Sequence, residues 1–122
     1  MLFRSLTDRD LDRFPDGTLF HRVARAVCHA RSVPRKELYE AWETARRVRR
    51  LFRGGRVVDL GGGHGLLAHL MLLLDDSSPS AVVVDTRLPP SAATLHEAIV
   101  QDRKSTRLNS SHIQKSRMPS SA

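Results

Sequence analysis

Residues 57–65 read Val-Val-Asp-Leu-Gly-Gly-Gly-His-Gly, and this is the most informative stretch in the chain. A short apolar run, typical of a buried strand, leads to Asp59 and then to a loop with glycine at alternate positions, Gly61, Gly63 and Gly65. Glycine permits positive φ angles and lets backbone approach a ligand where a Cβ atom would collide. The next residues, 66–74, are almost entirely apolar and favour a helix. Strand, glycine turn and helix together predict a ligand site at the carboxyl end of a parallel sheet.

The spacing of the glycines indicates which ligand the loop suits. The nicotinamide and flavin pattern G-x-G-x-x-G fails because its sixth position is Leu66, and no Lys-Ser or Lys-Thr follows to make a P-loop. The pattern that fits is D-x-G-x-G-x-G, from Asp59 to Gly65. At these residues the chain resembles the class I S-adenosylmethionine-dependent methyltransferases. The resemblance implies that the loop passes beside the methionine end of S-adenosylmethionine and that Asp59 helps to hold its amino group.

A second acidic residue supports the same arrangement. The run Ala81-Val82-Val83-Val84-Asp85 is apolar and β-branched, which predicts a buried strand ending in an acid. Asp85 lies 20 residues beyond Gly65, the separation at which an acid at the tip of the next strand grips a ribose diol. The resemblance implies this role for Asp85. The cofactor-binding residues implied are Asp59, Gly61, Gly62, Gly63, Gly65 and Asp85. The alternative is a glycine-rich turn without a ligand.

The end of the chain has a different character from the rest. Residues 102–122 are rich in serine and lack apolar periodicity, a composition typical of disorder. The run Arg-Lys-Ser-Thr-Arg-Leu-Asn-Ser-Ser-His within them resembles translated sequencing-adapter DNA joined to a truncated gene. The sequence therefore predicts a disordered tail of artefactual origin, against the alternative of a genuine basic tail.

The net charge depends strongly on that tail. The chain carries 20 Lys and Arg against 13 Asp and Glu, a formal net charge of +7. Five of these basic residues and one acidic residue lie in 102–122, so residues 1–101 carry a net charge of +3. The total charge therefore gives no support for a nucleic-acid partner.

Helices are predicted on both sides of the glycine loop. Two amphipathic helices span residues 18–31 and 35–52, with Pro34 suited to begin the second. A further helix is predicted to begin at Ser91. The chain thus divides into an N-terminal helical region, 1–34, a methyltransferase-like region, 35–101, and the tail, 102–122.

The predicted fold class is α/β, the N-terminal part of a Rossmann-like methyltransferase fold. Of the mostly parallel sheet that the resemblance implies, two parallel strands with flanking helices are predicted here, near 56–60 and 81–85. The apolar helix predicted at 66–74 requires burial on most sides. The elements that would bury it are predicted to be largely missing. We therefore expect a truncated chain that is marginally stable or aggregation-prone, and inactive alone.

The function implied by the resemblance is methyl transfer from S-adenosylmethionine to an acceptor that the sequence does not identify. Two alternatives stay open: a nucleotide-binding Rossmann-like module without catalysis, and a basic RNA-associated protein. RNA contact would use the arginine cluster of the second predicted helix, Arg46, Arg47, Arg49 and Arg50. The opposing interpretation is a solvated helix face whose arginines pair with Glu40 and Glu43.

Other classes of site are not predicted. The single cysteine, Cys28, excludes a cysteine-based zinc site and an internal disulfide, and it is predicted to be a small buried side chain in a reducing cytoplasm. The histidines lack metal-ligand spacing. His64, inside the glycine loop, is predicted either to hydrogen-bond a ligand or to be an exposed loop residue. No stretch reaches the roughly 20 apolar residues that a membrane span needs.

Overall fold

The computed structural model describes residues 4–106 and 112–117, and these form an α/β structure. In chain order the elements are a 3-10 helix (Asp8–Arg13), α1 (Leu19–Ala30), α2 (Arg35–Leu51), β1 (Val57–Leu60), α3 (Leu66–Leu74), β2 (Ser80–Asp85), α4 (Ser91–Thr106) and β3 (His112–Arg117). The predicted helices and the two predicted strands are confirmed. The sequence patterns do not predict the 3-10 helix, because Leu11 is its single apolar residue and gives no periodicity.

The three strands form a parallel sheet in the order β1-β2-β3. Val57 pairs with Ala81 and Asp59 pairs with Val83, so the carboxyl ends of β1 and β2 lie side by side. Parallel strands joined through a helix keep their carboxyl ends at one edge of the sheet. This edge therefore carries both acidic residues of the predicted site.

The tail differs from its prediction in two places. Helix α4 continues to Thr106, and residues 112–117 form β3, which pairs with β2 along its whole length. The prediction of a wholly disordered tail is therefore corrected at residues 102–106 and 112–117. The physical reason is that β2 has a second edge of backbone N–H and C=O groups, which a neighbouring strand satisfies without needing apolar periodicity. The remainder of the tail lies outside the described residues.

Helix α3 lies at the centre of the structure. It contacts all three strands on one side and packs against α2 and α4 on the other, while α1 packs against α4. Six of its nine residues are buried. The hydrophobic core around it contains residues from most of the chain, the first being Leu6 and the last Ile99. The expectation that the partners of this helix are largely missing is therefore wrong, because α2 and α4 cover the side that faces away from the sheet.

The two faces of the sheet are covered unequally. Ala81 and Val83 are buried beneath α3. On the opposite face Val58 and Leu60 are 56% and 73% exposed. Among the described elements α3 is the one helix that contacts the strands, so this second face has no helical layer over it within residues 4–106 and 112–117.

Candidate functional site

The glycine loop connects the end of β1 to the start of α3 in a conformation that requires glycine. Gly61, Gly63 and Gly65 have φ angles of +73°, +55° and +89°, in the left-handed region that other residues rarely adopt. The Gly65 N–H donates to the Gly62 carbonyl at 3.0 Å, and the Gly65 carbonyl accepts from the His69 N–H at 3.1 Å as α3 begins. The alternate glycines therefore correspond to alternate positive φ angles.

Gly62 is required for a different reason. Its φ angle is not positive, but a Cβ atom there would lie 2.6 Å from the Asp59 Cγ and 2.9 Å from the Val83 Cγ1. Real Cβ atoms do not approach other atoms so closely. The loop therefore folds back onto the carboxylate of Asp59, and only glycine allows this contact.

Asp85 binds the glycine loop directly. Its Oδ2 accepts a hydrogen bond from the Gly63 N–H at 2.9 Å, and its Oδ1 accepts from the Arg87 N–H and the Thr86 hydroxyl, both at 3.3 Å. The Gly63 N–H, followed by the Arg87 N–H, holds the pKa of the Asp85 carboxyl below its usual range. Asp85 is therefore a charged group at neutral pH, fixed beside the loop as its position in the sequence predicts.

Asp59 lies in a less favourable environment for its charge. Its Oδ2 atom is buried and has no hydrogen-bond partner within the part of the chain that the structure describes. Burial, and secondarily the negative charge of Asp85, raise the pKa of the Asp59 carboxyl. A buried carboxylate oxygen without a partner is uncommon in proteins and is typical of functional sites.

His64 links the loop to α2. Its Nε2 lies 2.6 Å from the Glu37 Oε1, and its Nδ1 accepts from the Leu66 N–H at 3.3 Å. The Leu66 contact assigns the proton of the neutral ring to Nε2, which donates to Glu37. The side chain of His64 is 16% exposed, so the alternative of an exposed loop residue is wrong. Sequence patterns give no signal for Glu37, because the two partners are 27 residues apart.

The predicted arginine cluster does not form one surface. Arg49 is buried, with Nη2 donating to the Met71 carbonyl at 2.8 Å and to the Ser78 hydroxyl at 2.7 Å. The proposal of Arg49 as an RNA contact is therefore wrong, because its guanidinium is directed into the protein. Arg46, Arg47 and Arg50 are exposed on α2. Arg47 pairs with Glu43 at 3.0 Å, as predicted, whereas Glu40 lies 3.7 Å from Lys36.

Arg49 also faces a buried acid that looks like a loop residue in the sequence. Asp75, directly after α3, is 3% exposed, and its Oδ2 lies 3.4 Å from the Arg49 Nη1. The Ser77 hydroxyl and the Gly54 N–H donate to its carboxylate. These hydrogen bonds hold the pKa of Asp75 well below its usual range. Cys28 is fully buried, as predicted, and burial raises the pKa of its thiol to about 11.

Comparison with protein-family models, with curated proteins and with solved structures found no significant match to this chain. Among the residues that the structure describes, no three His, Cys, Asp or Glu side chains are grouped so that they could hold a metal ion. No helix within 4–106 is both long enough and apolar enough to cross a membrane. The glycine loop with the carboxylates of Asp59 and Asp85 is therefore the candidate functional site.

Proposed function

We propose that this chain is the cofactor-binding part of a class I S-adenosylmethionine-dependent methyltransferase. The proposal is carried by one observation: Asp59, one residue before the end of β1, and Asp85, the last residue of β2, lie at the same edge of the sheet as the glycine turn, and the turn is bound to Asp85 through the Gly63 N–H at 2.9 Å. The parallel pairing of β1 with β2, joined through α3, supports it, because a Rossmann-like sheet is built from such units.

The charges at this edge of the sheet suit the cofactor. S-adenosylmethionine carries a sulfonium, which makes its methyl group electrophilic, and an ammonium. Asp59 would face the ammonium. The Oδ2 of Asp59 has no hydrogen-bond partner among the described residues, and the ammonium would be that partner. Asp85 would accept from the ribose hydroxyls. Each carboxylate oxygen has two acceptor sites. Oδ1 accepts from the Arg87 N–H and the Thr86 hydroxyl, so the acceptor site left for the sugar is on Oδ2, beside the bond from the Gly63 N–H.

The backbone of the loop would supply the remaining contacts with the cofactor. Gly61, Gly63 and Gly65 present no side chain where the cofactor approaches, and the helix that begins at Leu66 directs its N-terminal N–H groups toward the loop. The hydrogen bond between His64 and Glu37 fixes the loop against α2. Preorganisation of this kind lowers the entropy cost of binding. The methyl acceptor is not assigned.

The proposal predicts that loop and acid variants lose cofactor binding. Isothermal titration with S-adenosylhomocysteine should show affinity for the wild type and a loss of roughly tenfold or more in Asp85→Ala and Gly63→Val. Asp76→Ala and Gly17→Ala are the matched controls, because Asp76 is exposed on the loop after α3 and a Cβ atom added at Gly17 would meet no atom within 4 Å. Both controls should bind like the wild type.

Three results would contradict the proposal. The first is no binding of S-adenosylhomocysteine by the wild-type chain. The second is an unchanged affinity in Asp85→Ala and Gly63→Val. The third is binding of a nicotinamide dinucleotide in place of S-adenosylhomocysteine, which would favour the nucleotide-binding module without methyl transfer.

A further inference from the structure

A cavity lined almost entirely by basic side chains lies where the N-terminal segment meets the start of α2. Its volume is about 170 Å³, and it is lined by Arg4, Leu6, Arg13, Arg35 and Lys36. Four of these five residues are basic. Among the described residues, no acidic side chain lines the cavity. Like charges grouped around one cavity repel one another, so the arrangement favours an anion at its centre.

The N-terminal wall of this basic cavity is anchored by a backbone hydrogen bond and by a buried carboxylate. The Leu6 N–H donates to the Val33 carbonyl at 2.8 Å, which fixes the segment against the residue before Pro34. Asp10, whose side chain is 2% exposed, accepts two hydrogen bonds of 2.8 Å from the guanidinium of Arg4 and lies 3.7 Å from Arg13. Arg4 is therefore hydrogen-bonded to a buried carboxylate, and Arg13 lies at the longer ion-pair distance from the same group.

The α2 wall of the basic cavity adds charge of the same sign. Arg35 and Lys36 are the first two residues of α2, and Pro34 supplies no side-chain cap for the helix. The Arg35 guanidinium lies 5.0 Å from the Tyr39 ring, and the Lys36 Nζ lies 3.7 Å from Glu40. The positive end of the α2 dipole contributes further positive potential.

We propose that the basic cavity binds the phosphate group of a small phosphomonoester. Asp10 and Glu40 offset two of the four positive charges, and the two that remain match the charge of a phosphomonoester, about −1.5 to −2 near neutral pH. The cavity is smaller than the roughly 300–1,000 Å³ of sites that enclose whole ligands. It therefore suits one anionic group, which guanidinium donors bind with fitting geometry. The inference does not rest on the proposed function.

The experiment is a ³¹P NMR titration of the full chain with inorganic phosphate and with phenyl phosphate, at constant ionic strength. The test variant is Arg35→Gln with Lys36→Gln. The matched control is Arg46→Gln with Arg50→Gln, which removes the same charge from exposed positions on the same helix. We expect saturable binding by the wild type, a loss of roughly tenfold or more in the test variant, and a change under about twofold in the control.

The wild type and the variants of the two experiments distinguish phosphate binding at the basic cavity from nonspecific charge and from binding at the glycine loop. Absence of saturable binding by the wild type overturns it, and so does an equal loss in test and control variants, which would indicate nonspecific charge. Loss of phosphate binding in Asp85→Ala but not in the test variant would place the anion at the glycine loop and overturn it too. Binding of S-adenosylhomocysteine by the Arg35 and Lys36 variant should be unchanged, so that each proposal fails independently.

Discussion

Adjacent glycines in the loop after β1 serve two distinct physical purposes. Gly61, Gly63 and Gly65 have positive φ angles, so the backbone conformation itself requires glycine there. Gly62 has an ordinary φ angle and is required because its backbone lies against Asp59 and Val83. The alternating pattern in the sequence indicates the first requirement. The second depends on which side chains the fold brings beneath the loop, and no local pattern indicates it.

This difference predicts the cost of filling the space beside Gly62. Gly62→Ala should lower the free energy of unfolding by about 1–3 kcal/mol, because the new methyl group forces the loop away from Asp59 and Val83. Gly17→Ala, which meets no atom within 4 Å, should change it by no more than about 1 kcal/mol in either direction. Urea denaturation measures both. Equal costs in the two variants would show that Gly62 does not approach Asp59 closely.

At the scale of the elements, α2 is joined to the end of α3 by a buried ion pair. Arg49 in α2 donates to the Met71 carbonyl, one of the carbonyls that the last turn of α3 leaves without a helical partner. Asp75, just after α3, lies beside Arg49 and accepts from the Gly54 N–H after α2. These contacts tie the end of α2 to the end of α3, just before β1 begins.

The lowered pKa of Asp75 predicts how stability depends on pH. A carboxyl whose pKa is lower in the folded chain than the unfolded value of about 3.9 stabilises the fold above that value, and the contribution is lost as the pH falls through the folded pKa. Asp75→Asn should therefore melt several degrees below the wild type at pH 7, and the difference should shrink toward zero as the pH falls below about 4.

The neighbouring Asp76 provides the control for that measurement, since it is exposed. Asp76→Asn should melt like the wild type across the same range of pH, as measured by circular dichroism. If Asp75→Asn and the wild type lose stability in parallel on acidification, then Asp75 does not stabilise the fold through its charge.

At the scale of the whole molecule, the sheet has helices on one face and none of the described elements on the other. Leu72 of α3 is 1% exposed, whereas Leu60 of β1 is 73% exposed on the opposite face. Exposed apolar surface promotes association between proteins. The expectation of aggregation from the sequence thus remains a prediction, but its origin moves from α3 to the uncovered face of the sheet.

Substitution on that face should change association and leave stability intact. Leu60→Lys should alter the free energy of unfolding by no more than about 0.5 kcal/mol and reduce self-association in sedimentation velocity. Leu72→Ala is the buried comparison and should cost about 2–5 kcal/mol. A large loss of stability in Leu60→Lys would mean that this face of the sheet is covered.

The sequence alone predicts the elements around the glycine loop and an acid near the end of each of the two strands, because periodicity, turn chemistry and an acid after an apolar run are local properties. It did not determine the burial of Arg49 and Asp75, the pairing of His64 with Glu37, or the basic cavity formed by Arg4, Arg13, Arg35 and Lys36. Those features join residues far apart in the chain. Only the packing of α2 against α3 and of the N-terminal segment against α2 decides which charges meet and which are buried.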